Sequence, residues 1–137
     1  MLIGIDFDNT IVCYDRLFHA LALERGLIPS DLPQTKTAVR DHLRAQGREA
    51  EWTELQGFAY GSEIGRAELF PGVLETLREL RRRGIETIII SHKTYWSEDR
   101  KHQLRDAAHG FLRRHGFGEP DVGISEVRDA GPRAPVL

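Results

Sequence analysis

Leu2 to Ile5 is apolar, breaks at Asp6, and runs through Phe7 into Asp8-Asn9-Thr10, a pattern that predicts a buried strand ending in a polar turn. Leu17, Phe18, Leu21, Ala22 and Leu23 then predict a helix of about three turns that stops near Gly26. The next stretch changes character. Pro29-Ser30-Asp31-Leu32-Pro33 is a turn cluster, Val39 and Leu43 mark a polar, Arg-rich helix, and Trp52, Leu55, Phe58, Ala59 and Ile64 recur at helical spacing. Residues 14–69 read as a small helical insertion, leaving residues 1–13 and 70–137 for the main layer.

Phe70-Pro71-Gly72 restarts that layer, and Val73, Leu74, Leu77 and Leu80 form the apolar stripe of a helix. Arg81-Arg82-Arg83-Gly84 ends it, because cations suit the negative end of a helix and glycine suits its left-handed cap. Ile85 to Ile90 is β-branched and apolar and closes at Ser91, a second buried strand. A third core helix is expected to follow Trp96 or Ser97, to bury Leu104, Ala107, Ala108, Phe111 and Leu112, and to finish at Gly116. Asp121 to Val127 reads as a third short strand, and Gly131 to Leu137 as a Gly/Pro tail without periodicity. Strand, helix, strand, helix, strand predicts an α/β fold with a parallel sheet and right-handed crossovers.

Length and charge narrow the function. A chain of 137 residues holds one core with a modest appendage. Its 19 Lys+Arg against 21 Asp+Glu leave a net charge of −2, so no global field draws it to nucleic acid or to an anionic membrane. One cysteine, Cys13, cannot form an internal disulfide, and with no secretory leader or apolar span the expected setting is the cytoplasm. Only three cations are lysines: Lys36, Lys93 and Lys101.

Ligands of open parallel sheets bind beyond the carboxyl ends of the strands, and the first two strands end there in polar side chains. Asp6 and Asp8 stand two apart in an apolar context, and two carboxylates so close repel unless a cation or a proton is shared. A hard divalent ion with few protein ligands, waters and a phosphate fits that pair, which points to Mg²⁺. An isolated pair of this kind more often starts a turn, and a serine at a strand end more often caps one. The combination Asp6-Phe7-Asp8-Asn9-Thr10, Phe70-Pro71-Gly72-Val73 and Ser91 changes that balance. Over most of residues 1–116 the chain resembles the haloacid dehalogenase-like (HAD) superfamily, and Ser91-His92-Lys93-Thr94 is similar to the second motif of one of its subgroups.

The resemblance implies a three-layer, Rossmann-like core with a helical cap over the site, and a phosphatase acting on a small phosphorylated metabolite through an aspartyl-phosphate. Asp6 would be the nucleophile, Asp8 the general acid and base, and both would serve Mg²⁺. Thr10 would support the turn and stand with Ser91, Lys93 and His92 as the residues that meet the phosphate. The family's late lysine and adjacent acidic pair have no counterpart after Gly116, so the core is expected to be C-terminally shortened, with Leu2 to Ile5 as an open apolar edge. Three arrangements answer such an edge: a longer parent chain, a tail from Asp121 folding back over it, or pairing into a homodimer. The same gap supports an alternative reading, a weak or inactive domain that binds phosphate or a protein partner.

Three further patterns bear on the insertion and on rival functions. Arg40, Arg44 and Arg48 form one helical stripe that could meet an anionic substrate but is more often a solvated face. Gly57, Gly61 and Gly65 also recur every four residues in polar surroundings and receive no function from sequence. No glycine-rich nucleotide loop is present, and a phosphoacceptor receiver would carry its acceptor on a later strand.

Overall fold

The opening apolar run forms β1 (Leu2–Asp6), and a tight turn leads to β2 (Val12–Cys13). The computed structural model describes residues 1–118 and the backbone of 124–129. Helices α1 (Asp15–Glu24), α2 (Lys36–Ala45) and α3 (Glu49–Tyr60) follow, then a short 3₁₀ turn (Ile64–Arg66) and β3 (Glu68–Leu69). The main layer resumes with α4 (Val73–Arg82), β4 (Glu86–Ser91), α5 (Arg105–Arg114) and β5 (Ile124–Asp129).

The sheet is parallel in the order β1-β4-β5, with Leu2 opposite Glu86 and Asp6 opposite Ile90. Right-handed crossovers that step in one direction set α4 and α5 against one face. Ile5 there lines a groove with Val73 and Leu77 of α4, while Phe7 and Ile89 meet Ala108 and Leu112 of α5. Gly4 faces the other way. A Cβ built on it would come 2.6 Å from Ile90 Cδ1, so only glycine lets Ile90 lie across β1 undisturbed.

Among the described residues β1 is an edge strand, and Leu2 is 52% exposed. The stretch Ile124–Asp129 joins β4 on the side away from β1, so it does not cover that edge. Asp121 and the tail Gly131 to Leu137 lie outside the described residues.

β2 and β3 pair antiparallel, Val12 with Leu69 and Cys13 with Glu68, and close a two-stranded stalk at the base of the three-helix insertion. Its interior is Leu17, Phe18, Leu21, Val39, Leu43, Trp52, Leu55 and Ala59, with Phe18 and Trp52 rings 5.0 Å apart. Leu23 turns outward, 42% exposed. The insertion shares one continuous core with the main layer through Phe7, Ile11 and Tyr14.

The glycine stripe has a role that polar surroundings had concealed. At Gly57 a Cβ would run into the His102 ring, at Gly61 it would come 2.7 Å from the Gly57 carbonyl and 3.2 Å from His102 Cβ, and at Gly65 it would come 3.3 Å from Arg114. The ring of His102 also packs edge-on to Phe58, 4.5 Å between centroids. These glycines are the seam along which the insertion closes onto α5 and the loop before it.

That loop explains a second departure. α5 starts at Arg105 rather than beside Ser97, because Asp99 accepts from Ser97 Oγ (2.5 Å) and Lys101 N–H (3.1 Å) while Trp96 bridges to Gln103. An aspartate that caps its own turn competes with helix there. Lys101, expected on a helix, is an exposed loop residue. Among the described residues no helix is long and apolar enough to cross a membrane.

Candidate active site

Asp6 ends β1 and is exposed, with Oδ1 accepting the N–H of Phe7 at 2.9 Å. Phe7 is buried against Phe111, ring centroids 6.2 Å apart, and so fixes the backbone between the two aspartates. The turn beyond is held by Ile11 N–H and Val12 N–H on the Phe7 carbonyl (3.0 and 3.2 Å) and by Asn9 N–H on the Val12 carbonyl (3.0 Å). Asn9 sits at φ 62°, a left-handed conformation that asparagine tolerates better than most residues. Local chemistry thus sets the turn that projects Asp8.

Asp8 is engaged from two sides. Its Oδ2 lies 3.1 Å from Nζ of Lys93, and its Oδ1 accepts from the Tyr14 hydroxyl at 2.5 Å. The Lys93 side chain is only 3% exposed. Its ammonium lies 4.4, 5.6 and 6.0 Å from the ring centroids of Tyr60, Phe7 and Tyr14, a partly aromatic cage for a cation. Burial pushes the Lys93 pKa down, and Asp8 pulls it back up. Burial first and the Asp8 charge second push both Tyr14 and Tyr60 well above the ordinary phenol range, so each keeps its proton.

Ser91 is buried at the end of β4, and its Oγ accepts the Lys93 N–H at 3.1 Å, which turns the loop so that Lys93 points back to the sheet. Arg105 donates to the Lys93 carbonyl at 3.4 Å. Beneath them, Phe7, Ile89, Ser91, Lys93 and Arg105 help to line a cavity of about 10 Å³, room for one water.

Of the residues singled out from sequence, the structure joins Asp8 to Lys93 and sets Asp6 and Ser91 at neighbouring strand ends. His92 is exposed between two buried neighbours. Thr10 is exposed and borders the groove formed with Phe70, Pro71 and Val73, apart from the Asp8–Lys93 pair. Tyr14 and Tyr60 escaped the sequence reading. Tyr14 follows Asp8 by six residues across the turn, a spacing with no helical or strand meaning, and Tyr60 approaches from the far end of α3.

Among the described residues no group of three or more His, Cys, Asp or Glu could hold a metal ion. The pair Asp6 and Asp8 still fits Mg²⁺, which takes one or two carboxylates and keeps waters and substrate phosphate for the rest. Both Asp8 carboxylate oxygens are engaged by Lys93 and Tyr14, which leaves the Asp6 carboxylate and the Asp8 backbone carbonyl as the groups that would hold the ion.

A family model for haloacid dehalogenase-like hydrolases matches residues 1–134. The chain belongs to this family. Among solved structures, a HAD-superfamily hydrolase from Ehrlichia chaffeensis is similar at 15% identity and a TM-score of 0.49, over 95% of this chain. The chain spans 62% of the length of that structure. Comparison with curated proteins finds no match. As a haloacid dehalogenase-like hydrolase, the chain carries its aspartate pair at the end of the first core strand and its serine at the end of the next, and its buried lysine comes two residues after that serine.

Proposed function

We propose that this hydrolase is a Mg²⁺-dependent phosphatase that acts on a small phosphorylated metabolite through an aspartyl-phosphate on Asp6. The observation that carries this reading is the contrast between the two aspartates: Asp8 is clamped by Lys93 and Tyr14, whereas Asp6 is exposed and has no ion pair among the described residues.

An Asp6 carboxylate oxygen attacks phosphorus and forms the acyl phosphate as the ester P–O bond breaks, and the departing oxygen takes a proton from Asp8. Asp8 then takes a proton from water as that water attacks the aspartyl-phosphate, which releases inorganic phosphate and restores Asp6. Lys93 and Ser91 meet the phosphoryl oxygens, and Lys93 also keeps Asp8 in place between the two steps. Mg²⁺ held by the Asp6 carboxylate and the Asp8 carbonyl would supply positive charge that lets one anion approach another.

Hydrolysis of p-nitrophenyl phosphate tests this. The wild type should release phosphate with Mg²⁺ and stop when EDTA removes it, and Asp6→Asn should fall to the background rate. Equal rates in the wild type and Asp6→Asn would exclude the mechanism and favour a domain that binds phosphate without turnover.

A further inference from the structure

The only lysine of the helical insertion sits where a lysine is locally unfavourable. Lys36 is the first residue of α2, the end at which a helix dipole disfavours a cation, and that first turn holds no acid. Its backbone is nonetheless firmly placed: the Lys36 N–H donates to Asp15 Oδ1 at 2.9 Å, and Thr35 Oγ1 caps the helix by accepting from Ala38 N–H at 3.0 Å. A local rule broken on a well-fixed backbone is expected at functional positions.

The side chain is half-buried and turns toward the site. Its Nζ lies 5.5 Å from the Phe18 ring centroid and 5.3 Å from that of Tyr60, the same ring that Lys93 approaches to 4.4 Å. Tyr60 in turn packs edge-on against Tyr14, centroids 4.9 Å apart, and Tyr14 holds Asp8. One aromatic wall therefore connects two ammonium groups and one carboxylate. The three arginines further along α2 and beyond have partners: Arg40 pairs with Asp41, Arg44 with Glu49 and Arg48 with Glu51. Among the described residues no carboxylate pairs with Lys36, and Asp8 is already taken by Lys93. Burial lowers the pKa of Lys36, Asp8 raises it, Lys93 and Arg40 lower it, and Asp15, whose carboxylate holds the Lys36 N–H, raises it.

A half-buried cation without a direct ion-pair partner is stabilised when a ligand brings one. We propose that Lys36 is a specificity-determining residue that binds a second anionic group of the substrate, so that the preferred substrates are phosphomonoesters carrying a carboxylate or a second phosphate. This rests on the reading of Asp6, Asp8 and Lys93 as a phosphate site.

Two matched pairs test the idea and separate the two anions: 3-phosphoglycerate against glycerol 3-phosphate, and fructose 1,6-bisphosphate against fructose 6-phosphate. kcat/KM is measured with Mg²⁺, and Kd by calorimetry, for the wild type, Lys36→Met, Lys36→Arg and the exposed-loop control Lys101→Met. In at least one pair the wild type should favour the doubly anionic member by roughly tenfold or more, the return expected from one charged hydrogen bond. The ratio should collapse toward one in Lys36→Met, survive in part in Lys36→Arg, and stay at the wild-type level in Lys101→Met. No wild-type preference in either pair, no binding at all, or the same ratio in Lys36→Met overturns the proposal. Binding that prefers the second anion through Lys36 without any turnover would uphold it and sink the phosphatase reading instead.

Discussion

Nζ of Lys93 stands 3.1 Å from Oδ2 of Asp8 and so ties the loop after β4 to the turn after β1. The ammonium is buried while the Asp8 side chain is 30% exposed, so removing the lysine leaves a carboxylate that water can reach rather than a stranded buried charge. Lys93→Met is therefore expected to lower kcat/KM by about a hundredfold or more while changing stability by less than about 1 kcal/mol. Parallel kinetics and urea unfolding check this, and a Lys93→Met variant with wild-type kcat would remove Lys93 from the site.

Tyr14 gives Asp8 its second tether. Tyr14→Phe keeps the ring against Phe18 and Tyr60 and deletes only the hydroxyl that donates to a carboxylate, so the fold should lose about 1.5–3 kcal/mol. A misaimed acid should reduce kcat roughly tenfold with little change in KM. A rise in KM alone would mean that Tyr14 acts on binding rather than on the aim of Asp8.

The glycine seam predicts a steric result. Gly57→Ala sets a methyl into the His102 ring and should destabilise the protein by about 1–3 kcal/mol, as overpacking does. His102→Ala in the same chain should recover much of that loss. Additive losses in the double variant, read from denaturation midpoints, would show that the two residues do not share the contact.

His115 predicts a pH dependence. Burial first, and Arg114 second, push its pKa below the ordinary 6.5, and its ring lies 4.3 Å from that of Phe111. The folded state thus disfavours the imidazolium. The resulting stability is fully present above the unfolded pKa and is lost as pH falls through the lower folded one. Urea midpoints should drop between about pH 7.5 and about pH 5, and the drop should shrink in His115→Phe. A drop of equal size in both proteins would assign the acid sensitivity to other groups.

Where chain neighbours decide the conformation, sequence was a sufficient guide. The apolar runs at Leu2 and Ile85 specify β1 and β4, Val73, Leu74 and Leu77 specify α4, and Gly84, at φ 73°, ends it. Asp6, Asp8 and Ser91 could be located because strand ends in a parallel sheet converge by topology alone. The start of α5 was misplaced because a single aspartate, Asp99, outcompetes helix periodicity over the preceding turn.

What sequence by itself determined, then, is the layering of the fold, the family motifs and the carboxylates at the sheet's end, since these follow from periodicity and from residues within a few positions of one another. Only the tertiary structure decided that Lys93 turns inward to Asp8, that Tyr14 and Tyr60 wall the site, that Lys36 faces it, and that the glycines at positions 57, 61 and 65 form a seam. Those contacts depend on how the three-helix insertion closes over the main layer. Closure brings together side chains dozens of residues apart, and no period in the chain records that separation.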